Sequence, residues 1–170
     1  MKFDDFEETL IEGIENSEYC EVEILTQEEV KNIFLDDYSY NFPMICFEET
    51  QDSEWTSDLD TSKFLNDKRY SKNHWYMIKS GDNIICTMSL YSQQDTLIIS
   101  VFEIACDCRG MEWGKILLRN IEKSAKSFYK DIKLDPFDSS ATSFWSHMGF
   151  DEDNSDYLFK KEINETIEEN

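Results

Sequence analysis

The chain has 170 residues, enough for one domain with a real core and too few for two comfortable ones. Its 37 acidic residues against 16 basic ones leave a net charge of −21. That balance argues against a nucleic-acid binder, which needs Lys and Arg to neutralise phosphates, and against docking on an anionic membrane.

The predicted elements begin with a helix on which Phe3, Phe6, Leu10, Ile11 and Ile14 recur at helical spacing. The opening MKFDDFEETLIEG has neither the basic nor the apolar stretch of a secretory leader, so the expected location is the cytoplasm. Cys20, Val22 and Ile24 then alternate with glutamates, the pattern of a half-buried strand. Thr26 followed by Glu29 reads as a capping box opening a second helix, with Val30, Ile33 and Phe34 as its apolar stripe. Residues 36–68 mix aromatics with acids and turn formers and read as a loop with one helix.

The second half is more regular. His74 to Ile78 is a strand, residues 80–83 are a turn, and Ile84 to Leu90 returns as the hairpin partner. A long strand runs from Leu97 to Ala105, and its apolar stretch is far too short to span a bilayer. A helix from Trp113 to Phe128 carries Trp113, Ile116, Leu117, Ile121, Ala125 and Phe128 on one face. A short strand, Ile132 to Asp135, stops at Pro136. The next helix runs from Ser139 to Met148, with Asp138 as N-cap and Gly149 as its stop. Phe150 and Tyr157-Leu158-Phe159 form a last hairpin, and the tail after Ile163 frays. Strands and helices alternate only in this half, which predicts an α/β (α+β) fold with a mixed sheet rather than a doubly wound one.

Five cysteines, an odd number in a chain this size, favour free thiols over a disulfide framework. Cys106 and Cys108 form a close pair, but with no second ligand pair they make a poor metal site, and none is expected. The charge is unevenly placed. Residues 1–60 hold 19 acids and 2 lysines, whereas residues 61–130 hold 7 acids and 11 bases. The middle of the chain is thus where an anionic ligand could settle. There, Arg109-Gly110-Met111-Glu112-Trp113-Gly114-Lys115 joins a strand to an amphipathic helix. Unpaired amides at such a helix start suit a pyrophosphate, and glycines let phosphates approach the main chain. Lys115, Arg119, Lys123, Lys126 and Lys130 follow along the helix, either as a solvated basic face or as contacts to a further phosphate.

This junction resembles the acyl-CoA loop of the GNAT superfamily of N-acetyltransferases, Arg/Gln-x-x-Gly-x-Gly/Ala, with Arg109, Glu112 and Gly114 at the pattern positions. A second family element, Ala-x-x-Phe-Tyr-x-x-x-Gly-Phe, is met by Ala141, Phe144, Trp145, Gly149 and Phe150. Two positions depart from the pattern. Glu112 replaces a glycine, and Trp145 replaces the tyrosine that protonates the leaving thiolate in many relatives; an indole N–H is no practical acid.

The resemblance implies one domain over residues 1–170, with residues 1–18 as an extra N-terminal helix and 163–170 as an acidic tail. It also implies a mixed sheet whose strand ending near Ala105 splays from the strand at Ile132–Asp135. Acetyl-CoA would be the cosubstrate, held by Phe102, Ile104, Arg109, Gly110, Met111, Glu112, Trp113, Gly114, Lys115, Ser140, Phe144 and Trp145. The amine would attack the thioester directly while a carboxylate takes its proton. Asp135 and Glu103 are the candidates for that base. Asp135 could instead cap the turn before Pro136, and Glu103 could face solvent by alternation. Asp36, Asp37, Tyr38, Tyr40 and Trp55 lie in the stretch that lines the acceptor side in the family, and an acidic, aromatic wall suits a small cationic amine or a basic peptide. No nucleic acid or membrane is expected as partner, and a homodimer is left open. One rival reading is a catalytically silent GNAT-fold protein that binds a basic protein partner through its acidic N-terminal third. Another, resting on charge alone, is an acidic mimic of DNA.

Overall fold

The computed structural model describes residues 2–18, 20–26, 28–30, 73–134, 142–152 and 159–163. The expectations for residues 36–68, for Ile33 and Phe34, for the start of the helix expected at Ser139, and for the acidic tail beyond Ile163 lie outside them.

Seven strands form one sheet in the order β1-β2-β3-β4-β5-β7-β6. They are β1 Glu21–Leu25, β2 His74–Ser80, β3 Asn83–Gln93, β4 Thr96–Ile104, β5 Asp131–Leu134, β6 Asp151–Glu152 and β7 Phe159–Glu162. Every pairing is antiparallel except β4 with β5, so the sheet is mixed, as the element order predicts. β2 and β3 turn on Gly81 and Asp82, with Gly81 at a φ of 64° that glycine adopts freely.

Three helices are labelled α1 Lys2–Glu18, α2 Trp113–Ala125 and α3 Thr142–His147. Phe6, Leu10 and Ile14 are the buried line of α1, and Leu117, Leu118, Ile121 and Ala125 that of α2. The two helices lie antiparallel on one face of the sheet: Phe6 meets Phe128 and Tyr129 edge-on, while Ser17 donates to Asn120 at the other end. Beneath them Tyr76, Ile78, Cys86, Met88, Leu90, Leu97, Ile99, Ile132 and Leu134 complete the core. The helix expected to reach Phe128 gives way to a turn after Ala125, where Lys130 N–H bonds Asp95 carbonyl.

Local signals are realised in detail. Thr26 Oγ1 accepts from Glu29 N–H (3.1 Å) and Glu29 Oε1 accepts from Thr26 N–H (2.8 Å), so the capping box is closed in both directions. α3 ends with Gly149 at φ 96°, its N–H on Ser146 carbonyl and Phe150 N–H on Trp145 carbonyl. With the Phe150 ring against Trp145, this is a complete Schellman stop. One expectation fails. Ile24 is 52% exposed rather than turned inward, because β1 is the edge of the sheet and alternation alone does not supply a covering layer there. Among the described residues no helix is long and apolar enough to cross a membrane.

Candidate active site

β4 is paired along its length with β3, but with β5 only from Thr96 to Ile99. β4 also carries a β-bulge: Ser89 pairs with Val101 and Leu90 with Ile99, which leaves Ser100 as the extra residue. A bulge bends its strand, and this one follows directly on Ile99, whose partner Leu134 is the last described residue of β5. Below the bulge the strands are pinned, with Thr96 Oγ1 donating to the buried Asp131 Oδ1 at 2.6 Å. Above it, Phe102 and Ile104 are not in register with a described residue of β5. Nothing in the sequence marks the bulge, since no glycine or proline sits there. Asn73 Nδ2, from the residue before β2, holds the Ser100 hydroxyl at 3.1 Å.

Side chains line this gap on the helix-covered face. Phe102 stacks near Phe144 (6.5 Å between centroids), Trp145 sits 5.7 Å from Phe102, and Phe144 meets Trp145 edge-on at 5.0 Å. Trp145, buried among Phe102, Phe144 and Phe150, is a packing residue of this cluster. Gly114 brings α2 against it: a Cβ there would lie 3.4 Å from the Phe144 ring and 3.7 Å from Ile104.

After β4 a tight turn over Cys106–Cys108 leads into the loop. Gly110 takes φ 83° and Glu112 takes φ 65° with ψ 13°, the left-handed conformation, before α2 begins. Glu112 therefore occupies a glycine position of the family pattern by adopting a glycine's backbone. Its carboxylate is 72% exposed and directed to Lys115, Oε1 to Nζ at 3.7 Å. From Gly110 to Lys115 no amide bonds a described residue, while Ile116 N–H starts the helical ladder on Glu112 carbonyl. A run of amides at the positive end of a 13-residue helix, bonded to no described residue, has the chemistry that suits an anion.

Arg109 is engaged by the protein. Nε donates to Ile104 carbonyl (3.0 Å) and Nη2 to Glu103 Oε2 (2.9 Å). Glu103 is accordingly not solvent-facing, as alternation allowed, but 6% exposed. Alternation did place it opposite Phe102 and Ile104; it could not show that both faces of β4 are covered. Thr87, paired across from Glu103, and Ser89 are buried polar neighbours that sequence reasoning passed over. Burial raises the thiols of Cys86 and Cys108, the latter helped by Asp107. Cys20, Cys86, Cys106 and Cys108 are free, and among the described residues no group of three or more His, Cys, Asp or Glu could hold a metal ion. His74 stacks on Phe3 and His147 ends α3. The structure thus brings together Phe102, Glu103, Ile104, Arg109, Gly110, Met111, Glu112, Trp113, Gly114, Lys115, Phe144 and Trp145. Asp36, Asp37, Tyr38, Tyr40, Trp55, Asp135 and Ser140 lie outside the described residues.

Comparison with known proteins agrees with this architecture. The family model described as acetyltransferase (GNAT) family matches residues 28–150. An uncharacterized N-acetyltransferase of Oceanobacillus iheyensis is 33% identical over 117 residues, 61% of this chain and 68% of its own. Among solved structures, the PaiA N-acetyltransferase of Thermoplasma acidophilum, in complex with coenzyme A, has a TM-score of 0.55 at 19% identity, over 84% of this chain and 98% of that one. A GNAT-family acetyltransferase of Elizabethkingia anophelis with acetyl-CoA bound gives 0.52 at 19% identity, over 81% and 80%. The YycN protein of Bacillus subtilis gives 0.57 at 16% identity, over 80% and 94%. With a family model that matches residues 28–150, most of the chain, on a mixed sheet of this topology, this protein is a member of the GNAT acetyltransferase family.

Proposed function

We propose that the protein is an acyl-CoA-dependent N-acetyltransferase, with acetyl-CoA as cosubstrate, acting on the amine of a small cationic molecule or basic peptide. The observation that carries this reading is the loop itself. Its amides from Gly110 to Lys115 bond no described residue although Glu112 stands in a glycine position, and the Glu112 side chain is turned onto Lys115. The amides and the helix dipole bind the diphosphate, and Lys115 adds positive charge beside them. The upper half of β4 at Phe102 and Ile104, paired with β3 on its other side, lines the gap for the pantetheine arm. Acetyl-CoA supplies the thioester. Since Arg109 holds the Glu103 carboxylate, Asp135, next in the chain after β5, is the base assigned to the ammonium proton. The acidic first 60 residues support a cationic acceptor.

Thermal melting with and without acetyl-CoA tests the reading. Stabilisation that saturates with ligand, and that is lost in Gly114→Glu, is expected, because the larger side chain runs into Phe144 and adds charge at the helix start. No shift with acetyl-CoA, CoA or longer acyl-CoAs would sink it. An amine panel then identifies the acceptor, and Asp135→Asn should lower kcat far more than it changes acetyl-CoA affinity. Binding without transfer to any amine favours the catalytically silent reading.

A further inference from the structure

In a chain of net charge −21, α2 and the turn after it present an exposed row of cations: Arg119, Lys123, Lys126 and Lys130. None of the four side chains has a hydrogen bond or ion pair with a described residue, unlike Lys115 on Glu112 and Lys161 on Glu122. Beside them, the outward face of α1 carries Asp5, Glu8 and Glu12, also exposed and without a side-chain hydrogen bond or ion pair to a described residue. Asp5, Glu8 and Glu12 on one helix, and Arg119, Lys123 and Lys126 on the other, lie opposite the buried lines of their helices and so point away from the sheet. The layer outside the core is therefore one acidic ridge next to one basic ridge.

The two ridges are matched in level. Gly13 lies against Asn120 and Ser124, and Phe6 against Phe128 and Tyr129. Counting along the antiparallel helices from those contacts sets Glu12 level with Lys123 and Glu8 with Lys126, while Asp5, one residue before Phe6, comes beside Lys130, one residue after Tyr129. Within one molecule the paired residues sit on neighbouring helices and point outward, so they do not meet. A two-fold axis parallel to the helices and running between them would lay α1 of one copy over α2 of another while preserving every level. All three matches would then be made twice, in a self-complementary contact.

We propose that the outer face of α1 and α2 is a dimerisation surface whose occupant is a second copy of this chain. Exposed ion pairs are individually weak and two copies of this charge repel at long range, so the dimer is concentration-dependent and lacks the strength of an obligate one.

Sedimentation velocity across a concentration series tests this with three proteins: wild type, Lys123→Glu/Lys126→Glu/Lys130→Glu, and Asp5→Lys/Glu8→Lys/Glu12→Lys. Wild type should dimerise, and each triple variant should self-associate roughly tenfold or more weakly. The two variants change net charge in opposite directions, so a shared loss cannot be a net-charge effect. Mixed in equal amounts, one acidic on both ridges and the other basic on both, they should recover a dimer. A wild type that stays monomeric at its highest soluble concentration overturns the proposal. So do triple variants that dimerise like wild type, or a mixture that stays monomeric. If a triple variant fails to fold, the single reversals Lys126→Glu and Glu8→Lys, alone and mixed, read out the same pattern.

Discussion

Arg109 reaches back across the end of β4 and places Nη2 2.9 Å from Oε2 of Glu103, while its Nε holds Ile104 carbonyl at 3.0 Å. One guanidinium thus fixes both a buried carboxylate and the last residue of the strand that borders the gap. Removing it leaves Glu103 buried without its cation. Because Arg109 is itself half-exposed, Arg109→Ala should cost about 1–3 kcal/mol, less than a fully buried pair. Arg109→Lys should recover only part, since an ammonium lacks the fork that serves both acceptors. Urea unfolding of the three proteins measures this.

Glu112 holds a left-handed backbone at φ 65° with its carboxylate turned to Lys115. Glu112→Gly removes a steric cost of about 1–2 kcal/mol but gives back unfolded-state entropy, for a net gain of at most ~1 kcal/mol. The melting temperature should rise by roughly 2–4 °C or stay level. Acetyl-CoA affinity, measured by calorimetry, should change by less than about threefold, well under 1 kcal/mol. A large tightening would mean that the wild-type carboxylate faces the ligand.

Lys161 ties three elements together. From β7 its Nζ donates to Glu122 on α2 and to Met148 carbonyl at the end of α3 (2.8 Å). A Cβ on Gly149 would fall 3.2 Å from that Nζ, at a backbone φ of 96°. Gly149→Ala should therefore destabilise by about 1–3 kcal/mol through strain and displacement of the lysine. Combined with Lys161→Ala, the two losses should be less than additive, because the displaced contact is already gone.

Stability should fall at alkaline pH. Burial raises the Cys86 thiol above its ordinary value of 9.0, and burial with the hydrogen bond to Glu7 raises the Tyr76 phenol above 10.0. With folded values above unfolded ones, the stabilisation is complete below pH 9 and is lost as pH rises past 9 to 10, where the unfolded chain releases these protons first. Denaturant midpoints from pH 7 to 10.5 should decline over that upper window. Tyr76→Phe should flatten the part of the decline above pH 10.

Much of the fold was legible because it rests on local chemistry. The Thr26–Glu29 box, the glycine stop at Gly149 and the helical period of Phe6, Leu10 and Ile14 each determine their own neighbourhood. The loop at 109–115 was legible as a motif. What escaped depends on partners distant in sequence. Alternation sets which side of β4 Glu103 takes, but its burial depends on the far face of the sheet, and its partner Arg109 had been assigned to the ligand. Ile24 shows the converse, an apolar residue with the right parity on a strand with one neighbour. The Ser100 bulge is a mismatch between two strands, a property that neither strand carries alone.

The N-terminal helix has a temporal consequence. Apart from Glu15 on Val22 N–H, its described anchors lie later in the chain: Lys2 on Gln94 and Asp95, Glu7 on Tyr76, Phe6 on Phe128 and Tyr129, Ser17 on Asn120. During synthesis α1 emerges before these partners, so Phe6, Leu10 and Ile14 reach their described neighbours only when the ribosome has delivered β2 through the end of α2. Three large apolar side chains on an otherwise acidic helix thus precede the strands that cover them by more than fifty residues of synthesis. The many glutamates and aspartates around them then serve the nascent chain, holding that waiting helix soluble until its sheet exists.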